Sequence, residues 1–395
     1  MSVMASRPVL RWALPAGIVT VVLAGGAIAT ALRASADVRL PPRSAAQLLV
    51  DLQTARLDGV SGTVVERADL GLPGLPPGLS LGGGGAADVT SLISGTHTLR
   101  VWYSGTDKAR VALLSATGES DIIVNRGEAW VWNSRDNSAV HYKDGDARPG
   151  PAKSHVPPAD LASDLPKTPQ EVADRVLAAL DPTTAVRTDS NAIVAGHKAY
   201  QLVLEPKDKA SLIGEVRIAI DGEAHVPTRA EVFAKADMGK AAFEIGFTQV
   251  SFQRPDDSVF NFNPPPGAKV TEADQAAKDA AAKADQAAKD AAAKTPDRPE
   301  AAPKSVVLGR GWTAVLVARL PETTPAGKAQ DNGAQAGIQG FLDRLPQVHG
   351  AFGSGRVLTS KLFTALLLDD GRVLIGAVSQ ERLVAAASDP AAALK

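Results

Sequence analysis

The chain has 395 residues, with 42 lysines and arginines against 43 aspartates and glutamates, and a formal net charge of −1. It is 45% hydrophobic, only 4% aromatic, and contains no cysteine. The charge balance argues against nucleic-acid binding, which normally needs a basic excess. The missing cysteines exclude disulfides, thiolate metal sites, iron–sulfur clusters and cysteine nucleophiles.

Arg7 and Arg11 precede an uncharged run, Trp12 to Leu32, long enough to cross a ~30 Å hydrocarbon core as a helix. Ala34-Ser35-Ala36 follows, a small-x-small pattern that signal peptidase cuts. Two readings stand: a cleaved signal, residues 1–36, or a retained membrane anchor. The length favours the anchor, while Pro15 and Gly25-Gly26 weaken the helix and favour the signal. Either one places the remainder outside the cytoplasm.

Ser44 is a good N-cap, and Leu48, Leu49, Leu52 and Ala55 follow at helical spacing until Gly59. A strand-like run, Val60 to Leu70, comes next. Residues 71–85 are Gly- and Pro-rich yet carry Leu72, Leu75, Leu79 and Leu81, so they read as an insertion or as an apolar flap. Gly95 to Tyr142 holds five short β-rich runs separated by turn residues such as Arg126-Gly127. Their spacing implies consecutive antiparallel hairpins.

A Pro-rich passage, Arg148 to Pro166, leads to a second helix that opens on the capping box Thr168-Pro169-Gln170-Glu171. Strands follow at Ala192–Ala195, Lys198–Glu205, Glu215–Ile220, Thr228–Lys235 and Ala241–Phe252. Residues 273–294 repeat Ala-Asp-Gln-Ala-Ala-Lys-Asp-Ala-Ala-Ala-Lys exactly twice, and Asp274 faces Lys278 and Asp285 faces Lys289 at i,i+4. Alanine favours the helix and buries little, so the repeat predicts a solvated helical spacer.

The tail begins with strand-like Ser305–Leu308 and Trp312–Leu320. A short helix at Ile338 to Leu345 and a glycine-spaced turn region, Gly350 to Gly355, come next. Two strands joined by Asp369-Asp370-Gly371 then lead to a final helix, Gln380–Ala387, capped by Ser379.

The usual chemical constellations are missing. No P-loop, nucleophile elbow or Ser-x-x-Lys occurs, and the six histidines never sit at i,i+4. Asp144-Gly145-Asp146 starts like a calcium loop, but position twelve is His155 rather than glutamate. The sequence implies no cofactor and no metal, and nothing in it requires an enzyme.

What remains is a set of strands apolar on both faces. Trp130 and Trp132 point one way and Val131 the other. Tyr200 and Leu202 share a face, and Phe243, Ile245 and Phe247 alternate with small residues. Two apolar faces need two coverings, or one covering and a ligand. Trp130, Trp132, Tyr200, Leu202, Phe243, Ile245 and Phe247 are the candidate ligand-facing set, because each lies on the bulkier face of its strand.

The order of export segment, helix, strands with Trp130-Val131-Trp132, second helix and further strands resembles the LolA-like half-barrel family. The likeness is closest in Val194-Ala195-Gly196-His197-Lys198-Ala199-Tyr200-Gln201-Leu202-Val203-Leu204, with Val216 to Asp221 and Val226-Pro227-Thr228-Arg229. That stretch is similar to the V-x-G-x-x-x-Y-x-L-x-L … I-D … x-P-x-R run of lipoprotein-sorting proteins and MucB/RseB-type sigma-factor regulators. Asp370-Gly371-Arg372-Val373-Leu374 and the Ala- and Gly-rich flavour resemble versions from high-GC Gram-positive bacteria.

The resemblance implies an α+β, mainly antiparallel β protein: an unclosed half-barrel, residues 37–270, with two covering helices. The spacer, 271–304, and a small C-terminal α+β unit or completion of the barrel, 305–395, follow. It implies a non-enzymatic carrier for a lipid or a lipid-modified polypeptide. The alternative is a regulator that binds the outer part of a membrane-bound anti-sigma factor.

Overall fold

The computed structural model describes residues 40–72, 94–115, 118–143, 182–273, 305–319, 340–389, 392 and 394. The Trp12–Leu32 run, Ala36, most of the 71–85 loop, the second helix and nearly all of the Ala273–Lys294 repeat lie outside these residues. Among the described residues no helix is long and apolar enough to cross a membrane.

The fold is α+β and mainly antiparallel β. Helix α1 (Ala45–Thr54) opens on the predicted Ser44 cap, whose hydroxyl accepts from Gln47 N while the Gln47 side chain accepts from Ser44 N. This reciprocal box satisfies two orphan donors of the first turn. Strands β1 (Gly59–Ala68), β2 (Gly95–Ser104), β3 (Lys108–Ser115), β4 (Gly118–Asn125), β5 (Glu128–Asn133) and β6 (Ser138–Tyr142) follow as consecutive hairpins. The second run is β7 (Thr184–Val194), β8 (His197–Pro206), β9 (Ile213–Asp221), β10 (Pro227–Ala234) and β11 (Asp237–Ser251).

These strands, with β12 (Lys269–Glu272), form one twelve-stranded sheet in the order β12-β6-β5-β4-β3-β2-β1-β11-β10-β9-β8-β7. Strands β12 and β7 are its two edges, so the half-barrel does not close. Strand β1 joins the two hairpin runs, pairing β2 on one side and β11 on the other. The turns are built as their residues demand. Arg126-Gly127 and Ala195-Gly196 each hold two successive positive φ values, the left-handed pair that suits the twist of a two-residue hairpin.

The tail forms a separate six-stranded sheet: β13 (Ser305–Leu308), β14 (Val315–Arg319), β15 (Gln347–Gly350), β16 (Gly353–Thr359), β17 (Thr364–Leu368) and β18 (Arg372–Gly376). Helix α2 (Gln380–Ala387), capped by Ser379, lays Leu383 and Ala387 on one face of this sheet. Three details differ from the sequence reading. The Gly350–Gly355 region is a hairpin between β15 and β16 rather than a turn alone. The strand at Trp312 starts later, after a 3-10 turn at Gly311–Thr313. The Ile338–Leu345 helix is helical only over 340–342 among the described residues.

Candidate functional site

Cross-strand partners share a face of a sheet, so the register sorts the side chains along its regular stretches, with bulges where β1 meets β11 and where β10 meets β9 and β11. One row runs Leu202–Ile218–Ala230–Ile245–Glu66–His97 across β8, β9, β10, β11, β1 and β2. Beside it, Leu204, Val216, Val232, Phe243 and Ala68 are partnered in the same way. Further along β1, on the same face, Gly62–Val101–Val111–Ile122–Val131–Val140 crosses to β6. This face is apolar nearly from edge to edge.

Helix α1 covers only one end of it. Leu48 is fully buried against Tyr200, Leu202 and Ile220, with Leu49 and Leu52 packed around it. The Arg43 guanidinium lies over the Tyr200 ring, and the Thr188 hydroxyl donates to the Arg43 carbonyl, which fixes the entry to the helix. Away from α1 the face is buried at Val64, Glu66, Ala68 and Val131 and half-buried or exposed elsewhere. Val111 is 36%, Ile122 40% and Ile245 36% exposed, a pattern that isolated surface side chains do not produce in register. A shallow open depression of about 550 Å³ lies where α1 ends, lined by Ala55, Leu57, Val60 and Tyr103.

The opposite face is covered by a different piece of chain. The row Ser61–Trp102–Arg110–Ile123–Trp130–His141 and the row Thr63–Arg100–Ala112–Asp121–Trp132–Ala139 both point this way. The segment after β11 folds back over them. Its 3-10 turn, Asp257–Phe260, buries Phe260 completely. Phe262 sits 5.3 Å from the Trp130 ring and 5.8 Å from the Trp132 ring. Arg110 ion-pairs with buried Asp121, donates to the Val259 carbonyl and lies over Trp102, which ties the turn to the sheet. Burial, then the neighbouring Glu119, pushes the Asp121 carboxyl up to about 6 against the pull of Arg110.

No family model and no curated protein matches this chain. Solved structures are similar to it. The Pseudomonas aeruginosa MucA/MucB complex is 14% identical with a TM-score of 0.40, over 87% of this chain and 96% of that one. A LolA superfamily protein from Nitrosomonas europaea is 11% identical with a TM-score of 0.21, over 56% and 99%. A putative outer membrane lipoprotein-sorting protein domain from Vibrio parahaemolyticus is 11% identical with a TM-score of 0.20, over 54% and 93%.

By register and packing, the seven residues singled out in the sequence do not form one surface. Tyr200 and Leu202 lie under α1. Phe243 and Ile245 occupy the same face beyond the helix, half-buried and exposed. Phe247 packs with Val194, Ala199 and Ala219 of β7, β8 and β9, side chains at the opposite parity to Tyr200 and Ile220. Trp130 and Trp132 belong to the opposite, covered face, Trp130 stacked on His141 at 4.0 Å. The two tryptophan rings are taken up by the covering segment, and the exposed part of the other face is built mainly from valine and isoleucine. His141 lies between Glu128 and Glu272 and His197 beside Asp221, so both imidazoles sit in local ion-pair geometry. Among the described residues no three potential metal ligands cluster.

The sequence reading missed Glu66. It lies between Val64 and Ala68 on the open face's side of β1, only 2% exposed, and neither carboxylate oxygen has a hydrogen-bond partner. Burial raises its pKa, with His97 opposing weakly. A carboxyl whose folded pKa is raised contributes stability below its unfolded pKa and loses it as pH climbs through the folded value. Glu66→Gln is therefore expected to raise the unfolding free energy at pH 8 by about 1–3 kcal/mol. The gap should shrink toward pH 5 in denaturant titrations at both values. An equal gap at both would show that this carboxyl does not titrate with folding.

Proposed function

We propose that this protein is an extracytoplasmic, non-enzymatic binding protein whose open α1 face holds the acyl chain of a lipid or of a lipid-modified polypeptide. The observation that carries this reading is the row Gly62–Val101–Val111–Ile122–Val131–Val140, apolar across six strands and left exposed at Val111 and Ile122. A chain laid on such a face gains about 0.8 kcal/mol per buried CH₂ without any polar code. The Trp12–Leu32 run then holds the body at the outer side of the membrane, or releases it after cleavage near Ala36. In this reading the carrier unit is 37–270, the spacer 271–304 and the tail unit 305–395.

Ile122→Glu tests it. Ile122 is 40% exposed, so the fold should change by no more than about 0.5 kcal/mol, as for other surface positions. Binding of a fluorescent fatty-acyl probe should fall at least tenfold. Wild-type protein that binds no acyl probe at micromolar concentration would end the carrier reading.

A second reading, a protein partner, is favoured by one observation. Val307, Leu316 and Ile375 form an exposed apolar row on the face of the six-stranded sheet away from α2. A single-pass membrane protein captured by the tail in the absence of lipid binding would support it.

A further inference from the structure

A carrier that recognised only a hydrocarbon chain would have no use for a carboxylate in its apolar face. Glu66 nevertheless stands near the middle of the sheet, on the strand that joins the two hairpin runs. Its cross-strand partners are Ile245 and His97, and its neighbours along the same face of β1 are Val64 and Ala68. None of these supplies a donor. His97 Nε2 lies 3.0 Å from the Ser94 carbonyl, which only accepts, so the proton on that nitrogen is committed there, and neither Glu66 oxygen is hydrogen-bonded by the ring. Both Glu66 oxygens are shut off from solvent and unpaired. Such a group is costly unless something else completes it.

We infer that Glu66 is the polar recognition point of the acyl-binding face, and that the ligand is an amphiphile whose head carries an ammonium group. The inference rests on the acyl-binding reading above and adds the head-group chemistry to it. An ammonium offers three N–H donors and the opposite charge, matching two orphan carboxylate oxygens. An entering head reaches Glu66 past its partner Ile245, whose side chain is exposed. Its chain then lies along the apolar rows toward Val111 and Ile122. A fatty-acid anion would set two carboxylates against each other in a site of low polarity, which disfavours both.

The test uses the full chain at pH 8 and three probes of equal chain length, kept below their micelle concentrations: dodecylammonium, dodecyltrimethylammonium and dodecanoate. Binding is measured by calorimetry to wild type and Glu66→Gln, with Glu66→Leu as the second variant should the first fail to fold. Wild type is expected to bind dodecylammonium at least tenfold more tightly than dodecanoate, a difference of 1.4 kcal/mol. The trimethyl probe, which has charge but no N–H, should fall between them. Glu66→Gln should bring the ammonium and carboxylate probes within threefold of each other. Equal binding of all three to wild type would overturn the inference while leaving the acyl-binding reading standing. A preference that survives in Glu66→Gln would trace it to the general field of the protein and also overturn the inference. No binding by any probe would overturn both.

Discussion

Replacing Phe260 by alanine is expected to destabilise the large sheet by about 3–5 kcal/mol, the range for deleting a buried aromatic ring from a core. Among the described residues Phe260 is the largest completely buried side chain. It is delivered by a 3-10 turn whose first residues are held by Asp256, which accepts from Ser258 N at 2.8 Å. The turn is then pinned from the sheet. Arg110 donates to the Val259 carbonyl, Asn125 Nδ2 reaches the Phe260 carbonyl at 3.4 Å, and Lys108 pairs with Asp257 at 2.7 Å. Without the ring, those polar contacts hold a turn over a void. Denaturant titration measures the loss. Tryptophan emission should shift to the red as Trp130 and Trp132 lose their cover. A loss under about 1 kcal/mol would show that the site collapses around the missing ring.

That covering segment is also where sequence reading stops. The strands were legible because alternation and turn chemistry are local: Arg126-Gly127 and Asp369-Asp370-Gly371 each close a hairpin between consecutive strands. The cap at Ser44 and the helix Gln380–Ala387 were legible for the same reason. The need for two coverings was legible too, since both parities of the strands are apolar. Which covering goes where was not. Trp130 and Phe262 meet across more than a hundred residues of chain, and no periodicity encodes that pairing. Bulk was a poor guide to which face stays exposed, because the Trp130 and Trp132 rings attract the protein's own cover. The hairpin at Gly350–Gly355 was hidden by its glycines, which read as turn although β15 and β16 pair through them. Glu66 was hidden by the two valines beside it. With Val64 and Val65 on opposite faces, neither parity of β1 looked like the buried one. A glutamate at the parity of Val64 and Ala68 was the available signal.

Leu366→Ala is expected to cost about 2–5 kcal/mol, and to take that cost from the tail unit alone. Leu366 and Leu374 are fully buried partners across β17 and β18, and Val317, Val357 and Leu383 complete the core around them. None of these side chains belongs to the core under α1. The described links between the two sheets are largely polar. Trp312 Nε1 donates to the Thr184 hydroxyl at 2.8 Å, and the Thr313 hydroxyl and Asp208 lie 3.0 Å apart. Leu212 N donates to the Ala377 carbonyl and Lys361 N to the Leu70 carbonyl, while the Lys361 ammonium pairs with Asp69. Hydrogen bonds of this kind each contribute about 1 kcal/mol net, enough to dock two cores but not to merge them into one. The boundary near residue 305 is our proposal, and this substitution decides it. Two cores predict that Leu366→Ala lowers one calorimetric transition, leaves a second in place and preserves acyl binding. A single transition shifted as a whole, with binding lost alongside, would mean that the tail and the half-barrel fold as one cooperative unit.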